Sequence, residues 1–414
     1  MTHPSNGRTR RDFLKKISMF SAGAAAVCIG SVGSASENEP SSGGPQDRVP
    51  VRPFGRTGVD VSILSLGGVL GTSELLVFRQ AFLSGVRYWD TADSYRWGNN
   101  EKAIGKYFER FPEDRKQVFL VTKSGSSDPK GLGADLAASL ARMKTDYVDM
   151  YFLHGVSDAK NDLTPAVKAW AEQAKREGKI RLFGFSAHKN MEEGMFTAAR
   201  LGWIDGLMVS YNYRLMTQDR MKRAVDACTK AGIGLTAMKT QAAFSANFYA
   251  SVGSETDDGL KMTQRLMEKG YTAEQAKLKV VWENPSIASI CSAMSNMTIL
   301  QANVAAAVSK TPLSSSDRRR LLRYAQRTAP GYCAGCAEIC ETAEESRLPI
   351  SDIMRHAMYR HSYGERDRAA RYFRSLPVEV KGRLRSADFS NAEKACPQRI
   401  PIARVVAEIR EELG

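Results

Sequence analysis

Between Val61 and about Val308 the chain repeats one pattern roughly every 30 residues: a short apolar run, then a stretch with the rhythm of an amphipathic helix. The apolar runs are Val61–Leu66, Val86–Trp89, Val118–Thr122, Tyr147–Leu153, Ile180–Phe185, Gly206–Val209, Ile233–Met238 and Ile287–Cys291. Helical stretches such as Leu132–Met143, Pro165–Glu177, Gln218–Ala231 and Thr272–Glu283 lie between them. Short strands joined by helices make parallel βαβ units, and eight of them close a (β/α)8 barrel, an α/β fold of about 250 residues. An open doubly wound sheet is the competing arrangement, but no G-x-G-x-x-G follows an early strand. In a barrel, chemistry sits at strand C-termini and in the loops after them.

The flanks have other characters. Arg10-Arg11-Asp12-Phe13-Leu14-Lys15 precedes a weakly apolar stretch, Ile17 to Ile29, and Gly33-Ser34-Ala35 offers a small-x-small cleavage site. The apolar stretch is too short to span a bilayer. Residues 1–35 therefore read as a twin-arginine (Tat) signal peptide, which implies passage through the Tat translocase and an exported, periplasmic location. Residues 36–50, rich in Ser, Gly and Pro, read as a linker, residues 51–312 as the barrel and 313–414 as a helical C-terminal domain. The net charge is +14. Residues 1–35 carry +4 and residues 313–414 carry +5, and the rest is spread over the barrel with no basic stripe interleaved with aromatics. That pattern excludes a nucleic-acid partner and fits a solvated surface.

Four polar residues occupy consecutive strand ends or the loops after them. Asp90 ends the second run and Tyr95 follows in its loop; Lys123 ends the third and His154 the fourth. A tyrosine can protonate a developing alkoxide when a nearby cation stabilises its oxyanion. A lysine held by an aspartate supplies that cation, and a histidine can hydrogen-bond the substrate oxygen. Taken singly, Asp90 could cap a helix, Tyr95 could be a loop aromatic, Lys123 a surface charge and His154 a core residue.

Together these segments resemble the aldo-keto reductase family. The resemblance is carried by Phe54-Gly55-Arg56-Thr57-Gly58 through Gly68, by Gly85–Tyr95 with Asn100-Glu101 and Gly105, by Ser139–His154, and by Gly178-Lys179-Ile180-Arg181 with Gly184-Phe185-Ser186. It implies carbonyl reduction or alcohol oxidation on a small molecule, with Tyr95 as proton donor and Asp90, Lys123 and His154 as its partners. It also implies NADP or NAD, with Ser186, Asn212, Lys239 and Asn303 as contacts, although Lys239 could instead close a salt bridge. The cofactor positions depart from the family pattern. Ser186 is followed by Ala187 and His188, Met208 and Met238 stand where a glutamine and a stacking aromatic are usual, and Ile299 stands where a basic residue would grip a 2′-phosphate.

Beyond the barrel lies Cys333-Ala334-Gly335-Cys336-Ala337-Glu338-Ile339-Cys340, and far downstream Cys396-Pro397. Three close thiols and a remote Cys-Pro resemble a ferredoxin-like site for one [4Fe–4S] cluster, which makes the tail a small α-helical iron–sulfur domain and implies a redox partner. Two disulfides, or a structural zinc, are the competing readings of the same four cysteines. Cys228 and Cys291 fall within barrel elements and read as core packing. A non-catalytic redox or binding protein that kept the barrel is the alternative to an enzyme.

Overall fold

The computed structural model describes residues 48–69, 74–242, 270–344 and 348–413. The signal-type segment 1–35 and most of the linker lie outside these. A short antiparallel hairpin, β1 (Val51–Pro53) and β2 (Asp60–Ser62), precedes eight strands in a closed barrel. These are β3 (Leu64–Gly67), β4 (Tyr88–Asp90), β5 (Phe119–Ser124), β6 (Val148–Leu153), β7 (Ile180–Ala187), β8 (Gly206–Ser210), β9 (Gly234–Met238) and β10 (Ile287–Ala293). The strands are parallel in chain order around the ring, and β10 closes it against β3 with Ile290 opposite Leu64. Such strands are covered on both faces, so they read as nearly unbroken apolar runs rather than alternating ones. The first run, Val61–Leu66, divides between two elements: Val61 and Ser62 belong to the hairpin, and the barrel strand begins at Leu64.

The hairpin plugs the N-terminal end of the barrel. Phe54 is wholly buried and packs on the rings of Tyr88 and Phe119, at centroid distances of 6.4 and 5.5 Å. Gly206 and Gly234 leave room for it; a Cβ on either would lie 2.6 or 2.5 Å from the Phe54 ring. Helices start where the chain offers a cap. Asp128 and Thr164 accept from the first turns of the helices Pro129–Met143 and Pro165–Arg176, each with proline at its first position. Thr272 and Gln275 form a capping box at the start of Ala273–Trp282.

After the barrel helix Met297–Val308 comes Ser315–Arg327, capped by Ser314 and Asp317. The chain then returns over the C-terminal mouth of the barrel as a loop holding Tyr332 and Cys333, followed by the helices Ala337–Ala343 and Ile350–Ser362. Tyr332, Ala334, Met358 and Tyr359 join the barrel's apolar core. Ile350, Ile353, Met354 and Ala357 of the same helix face a second core with Phe373, Val405 and Ile409. The helix Ile350–Ser362 thus belongs to both cores. Among the described residues no helix is long and apolar enough to cross a membrane.

Candidate active site

Strand register brings the first set of residues together. Asp90 lies opposite Val121 on the neighbouring strand, and Lys123 follows two residues later on the same face. Lys123 Nζ donates to Asp90 Oδ1 at 2.5 Å and to the Thr91 carbonyl at 2.6 Å, and it reaches the Tyr95 hydroxyl at 3.5 Å. The Lys123 and Asp90 side chains are 1% and 2% exposed, so the pair is withheld from water. Tyr95 sits in a loop whose next three residues, Arg96, Trp97 and Gly98, have positive φ (49°, 55° and 77°). The following helix, Asn99–Arg110, is fixed to β5 by buried Glu101, which accepts from Thr122 Oγ1 at 2.6 Å and Arg142 Nε at 2.5 Å. His154, just past β6, meets the Tyr95 ring edge to face at 5.7 Å. The structure therefore assembles Asp90, Tyr95, Lys123 and His154 at one point of the mouth.

Their electrostatics suit proton donation. Burial pushes the Tyr95 phenol up to about 12, against the opposing pull of Lys123. Burial, aided by Lys123, lowers His154 to about 3, which keeps its imidazole neutral. Burial also raises Asp90, with the lysine opposing it. Lys123 rises despite its own burial because Asp90 and Tyr95 favour its charge. Cys291 is a member of this group that sequence pattern placed in the core: partly exposed on β10, its thiol is close enough for Asp90 and Lys123 to act on it electrostatically. Its position at the end of the eighth run was the available signal.

The cofactor candidates are placed differently. Ser186 Oγ accepts from Gly155 N at 3.0 Å, and Asn303, away from the tetrad on Met297–Val308, donates to Ser292 Oγ at 3.0 Å. Asn212 Nδ2 donates to the Tyr332 hydroxyl at 2.8 Å and to the Lys239 carbonyl at 3.3 Å. Lys239 makes no carboxylate pair among the described residues; its ammonium donates to the Tyr359 hydroxyl. Arg355 donates to that hydroxyl at 3.0 Å and to the His188 carbonyl at 2.6 Å. Two cations on one phenol hold Tyr359 well below the usual tyrosine range although burial opposes them. Tyr332, Arg355 and Tyr359 are mouth residues that periodicity could not assign, because they come from 120 or more residues beyond the barrel positions they touch.

Cys333, Cys336, Cys340 and Cys396 line one small, mostly apolar cavity with Met354 and Ile402. None is in a disulfide. Burial raises the first three thiols, Cys340 to about 12, and neighbouring sulfurs add to the shift. Among the described residues no three His, Cys, Asp or Glu side chains gather as the ligands of a single metal ion would. His356, in the same region, packs instead: its Nδ1 lies 2.8 Å from the Asp352 carbonyl and its ring stacks on Tyr372 at 3.8 Å.

A parallel eight-stranded barrel with Asp90, Tyr95, Lys123 and His154 together at its C-terminal mouth is the architecture of an oxidoreductase. The family model described as "Aldo/keto reductase family" matches residues 72–322, and the chain belongs to that family. Such enzymes typically use NAD(P). Among curated proteins it is similar to the uncharacterized oxidoreductases YrpG and YqkF of Bacillus subtilis. Identity with YrpG is 29% over 212 residues, covering 44% of this chain and 64% of YrpG. Identity with YqkF is 33% over 152 residues, covering 33% of this chain and 48% of YqkF. The chain thus spans between about half and two thirds of the length of these two relatives. In fold it is similar to an aldo-keto reductase from Bacillus halodurans in its holo form, with a TM-score of 0.54 and 22% identity, covering 67% of this chain and 96% of that one. A thermostable aldo-keto reductase in complex with the inhibitor epalrestat gives a TM-score of 0.52 at 23% identity, covering 66% and 99%.

With Tyr95 protonated up to about 12 and His154 neutral down to about 3, neither titrates near neutrality. Carbonyl reduction is therefore expected to give a level log kcat/KM from about pH 5 to about pH 8, in contrast to an ordinary histidine near 6.5. A limb centred in that range and absent in His154→Gln would contradict the assignment.

Proposed function

We propose that this protein interconverts a small-molecule carbonyl compound and its alcohol, with Tyr95 as the acid. The observation that carries the reading is the Lys123 ammonium, fixed by Asp90 and Thr91 and 3.5 Å from the Tyr95 hydroxyl. Reduction adds two electrons, supplied by an external reductant, and two protons to the C=O group: Tyr95 gives the one that goes to oxygen and is reprotonated from solvent, and the one that goes to carbon comes from solvent. As the phenolate develops, Lys123 lies beside it in a water-poor site, where its charge acts most strongly. Neutral His154 donates a hydrogen bond to the substrate oxygen and sets its angle toward Tyr95. Asp90 holds Lys123 in place and in its charged state.

We further propose that Cys333, Cys336, Cys340 and Cys396 hold one [4Fe–4S] cluster. Four unpaired thiols around one cavity fit the donor set, and a metal centre there would draw off their protons, reversing the upward shifts that burial gives Cys333, Cys336 and Cys340. When bound, such a cluster supplies electrons singly, drawn from an external one-electron carrier that is the redox partner of this protein. The sequence of residues 1–35 supports delivery by the Tat translocase to the periplasm, folded and with its cluster inserted. A second reading, a non-catalytic redox or binding protein, is favoured by one observation: Asn212 and Lys239 are engaged by the chain's own tyrosines.

Two measurements test these readings. With a reduced viologen dye as one-electron donor and a panel of aldehydes, Tyr95→Phe is expected to lose about 10²- to 10⁴-fold in turnover with its fold intact. Equal turnover in both proteins would remove Tyr95 from the acid role, and none in either would favour the binding protein. Anaerobically purified protein is expected to contain about four iron and four sulfide per chain, and Cys336→Ser to bleach it. One zinc, or four cysteines resistant to alkylation until reduced, would replace the cluster by a structural metal or by disulfides.

A further inference from the structure

The barrel mouth has two halves of opposite character. On the side of β4 to β6, Tyr95 and His154 are only partly buried, so a small molecule can reach them. On the side of β7 to β9, two of the polar groups that the family resemblance assigns to the dinucleotide, Asn212 and Lys239, are held by tyrosines of the chain's own C-terminal segment. Asn212 is fully buried and saturated: its amide nitrogen serves Tyr332 and the Lys239 carbonyl, and its oxygen accepts from the amides of Arg214 (3.0 Å) and Leu215 (3.2 Å). Lys239 is bound to Tyr359, and Ser186, 1% exposed, is taken up by Gly155. A seat for a dinucleotide presents its hydrogen-bonding atoms to an open cleft. These atoms are enclosed and already partnered, so the residues do not fit that group.

The closing segment is built in rather than laid on. The Gly335 carbonyl accepts from Asn190 N at 2.8 Å, and the Glu338 amide donates to Asn190 Oδ1 at 2.9 Å. Gly335 itself has φ +85°, and a Cβ there would lie 2.4 Å from the His188 carbonyl, so the loop approaches β7's exit as closely as a backbone can. Lys189 pairs with Asp352 at 3.0 Å. Withdrawing Tyr359 would strip Arg355 of one of its two hydrogen-bond partners and draw the Ile350–Ser362 helix away from the barrel core that Met358 and Tyr359 join.

We propose that the segment carrying Tyr332, Arg355 and Tyr359 is the standing occupant of the nicotinamide side of the mouth, so that this protein takes up neither NADH nor NADPH there. The proposal rests on the family reading of that site, and it departs from the family's usual cofactor. It places the chain among proteins whose reducing equivalents arrive from a one-electron carrier rather than from an exchanging dinucleotide.

The test uses the full chain, purified anaerobically. NADPH and NADH are titrated to about 1 mM, well above the micromolar range of ordinary cofactor sites. Nicotinamide fluorescence and calorimetry report binding, and amide hydrogen exchange is followed at Asn190 and across 350–362. The expected result is no saturable signal, with the Asn190 amide strongly protected whether or not dinucleotide is present. Saturable micromolar binding overturns the proposal, whether protection at Asn190 is lost, as for a displaceable lid, or kept, as for an open seat. Free exchange of the Asn190 amide without dinucleotide overturns it as well, because the segment would not be seated. No turnover enters these readouts, so their failure is separate from failure of the Tyr95 assignment.

Discussion

Lys123 and Asp90 lie almost wholly out of water, joined at 2.5 Å where two adjacent strands end. Burying two charges costs several kcal/mol each after relaxation, and attraction within the pair offsets this only when geometry and further hydrogen bonds are good. The barrel supplies both conditions. Strand register sets Lys123 two residues beyond the one facing Asp90, on the same face, and the Thr91 carbonyl takes a second ammonium hydrogen. A less constrained scaffold would let water in or let the lysine leave. The Tyr95 hydroxyl then meets a cation that cannot move away.

The C-terminal segment imposes the second constraint. Its helix Ile350–Ser362 is shared by two apolar cores, so the cysteine cavity and the barrel mouth are not free to shift independently. Arg355 links them directly: it bonds the His188 carbonyl and Tyr359 at the mouth, and its charge acts on the Cys333 thiol. Buried cations shared by one phenol and a nearby sulfur form a connected polar group in a low-dielectric setting, where each member shifts its neighbours. Lys239 shows this too, pushed down to about 8 by burial and by Arg355.

Much of this was legible in the sequence, for a physical reason. Parallel strands buried on both faces produce continuous apolar runs, so all eight barrel strands announce themselves, and polar residues at their ends mark the mouth. Asp90, Lys123 and His154 were found by that logic and Tyr95 by its loop. The division of Val61–Leu66 between hairpin and barrel was not legible, because residues facing the plug and residues facing the barrel are equally apolar. Nor were the partners of Asn212 and Lys239. Tyr332 and Tyr359 reach them across about 120 residues, and no local periodicity encodes so distant a contact. Ser186, Asn212, Lys239 and Asn303 were read from the family resemblance; the first three lie at or just after the ends of β7, β8 and β9, and their partners are set by tertiary packing.

The central claim is that Tyr95 and Lys123 act as one proton-donating unit. A double-mutant cycle on kcat/KM for aldehyde reduction, with Tyr95→Phe, Lys123→Met and the double variant, tests this most directly. Groups that work as a unit are strongly non-additive, so the double variant is predicted to fall within about threefold of the worse single variant. Losses that multiply, as for independent sites, would contradict the account.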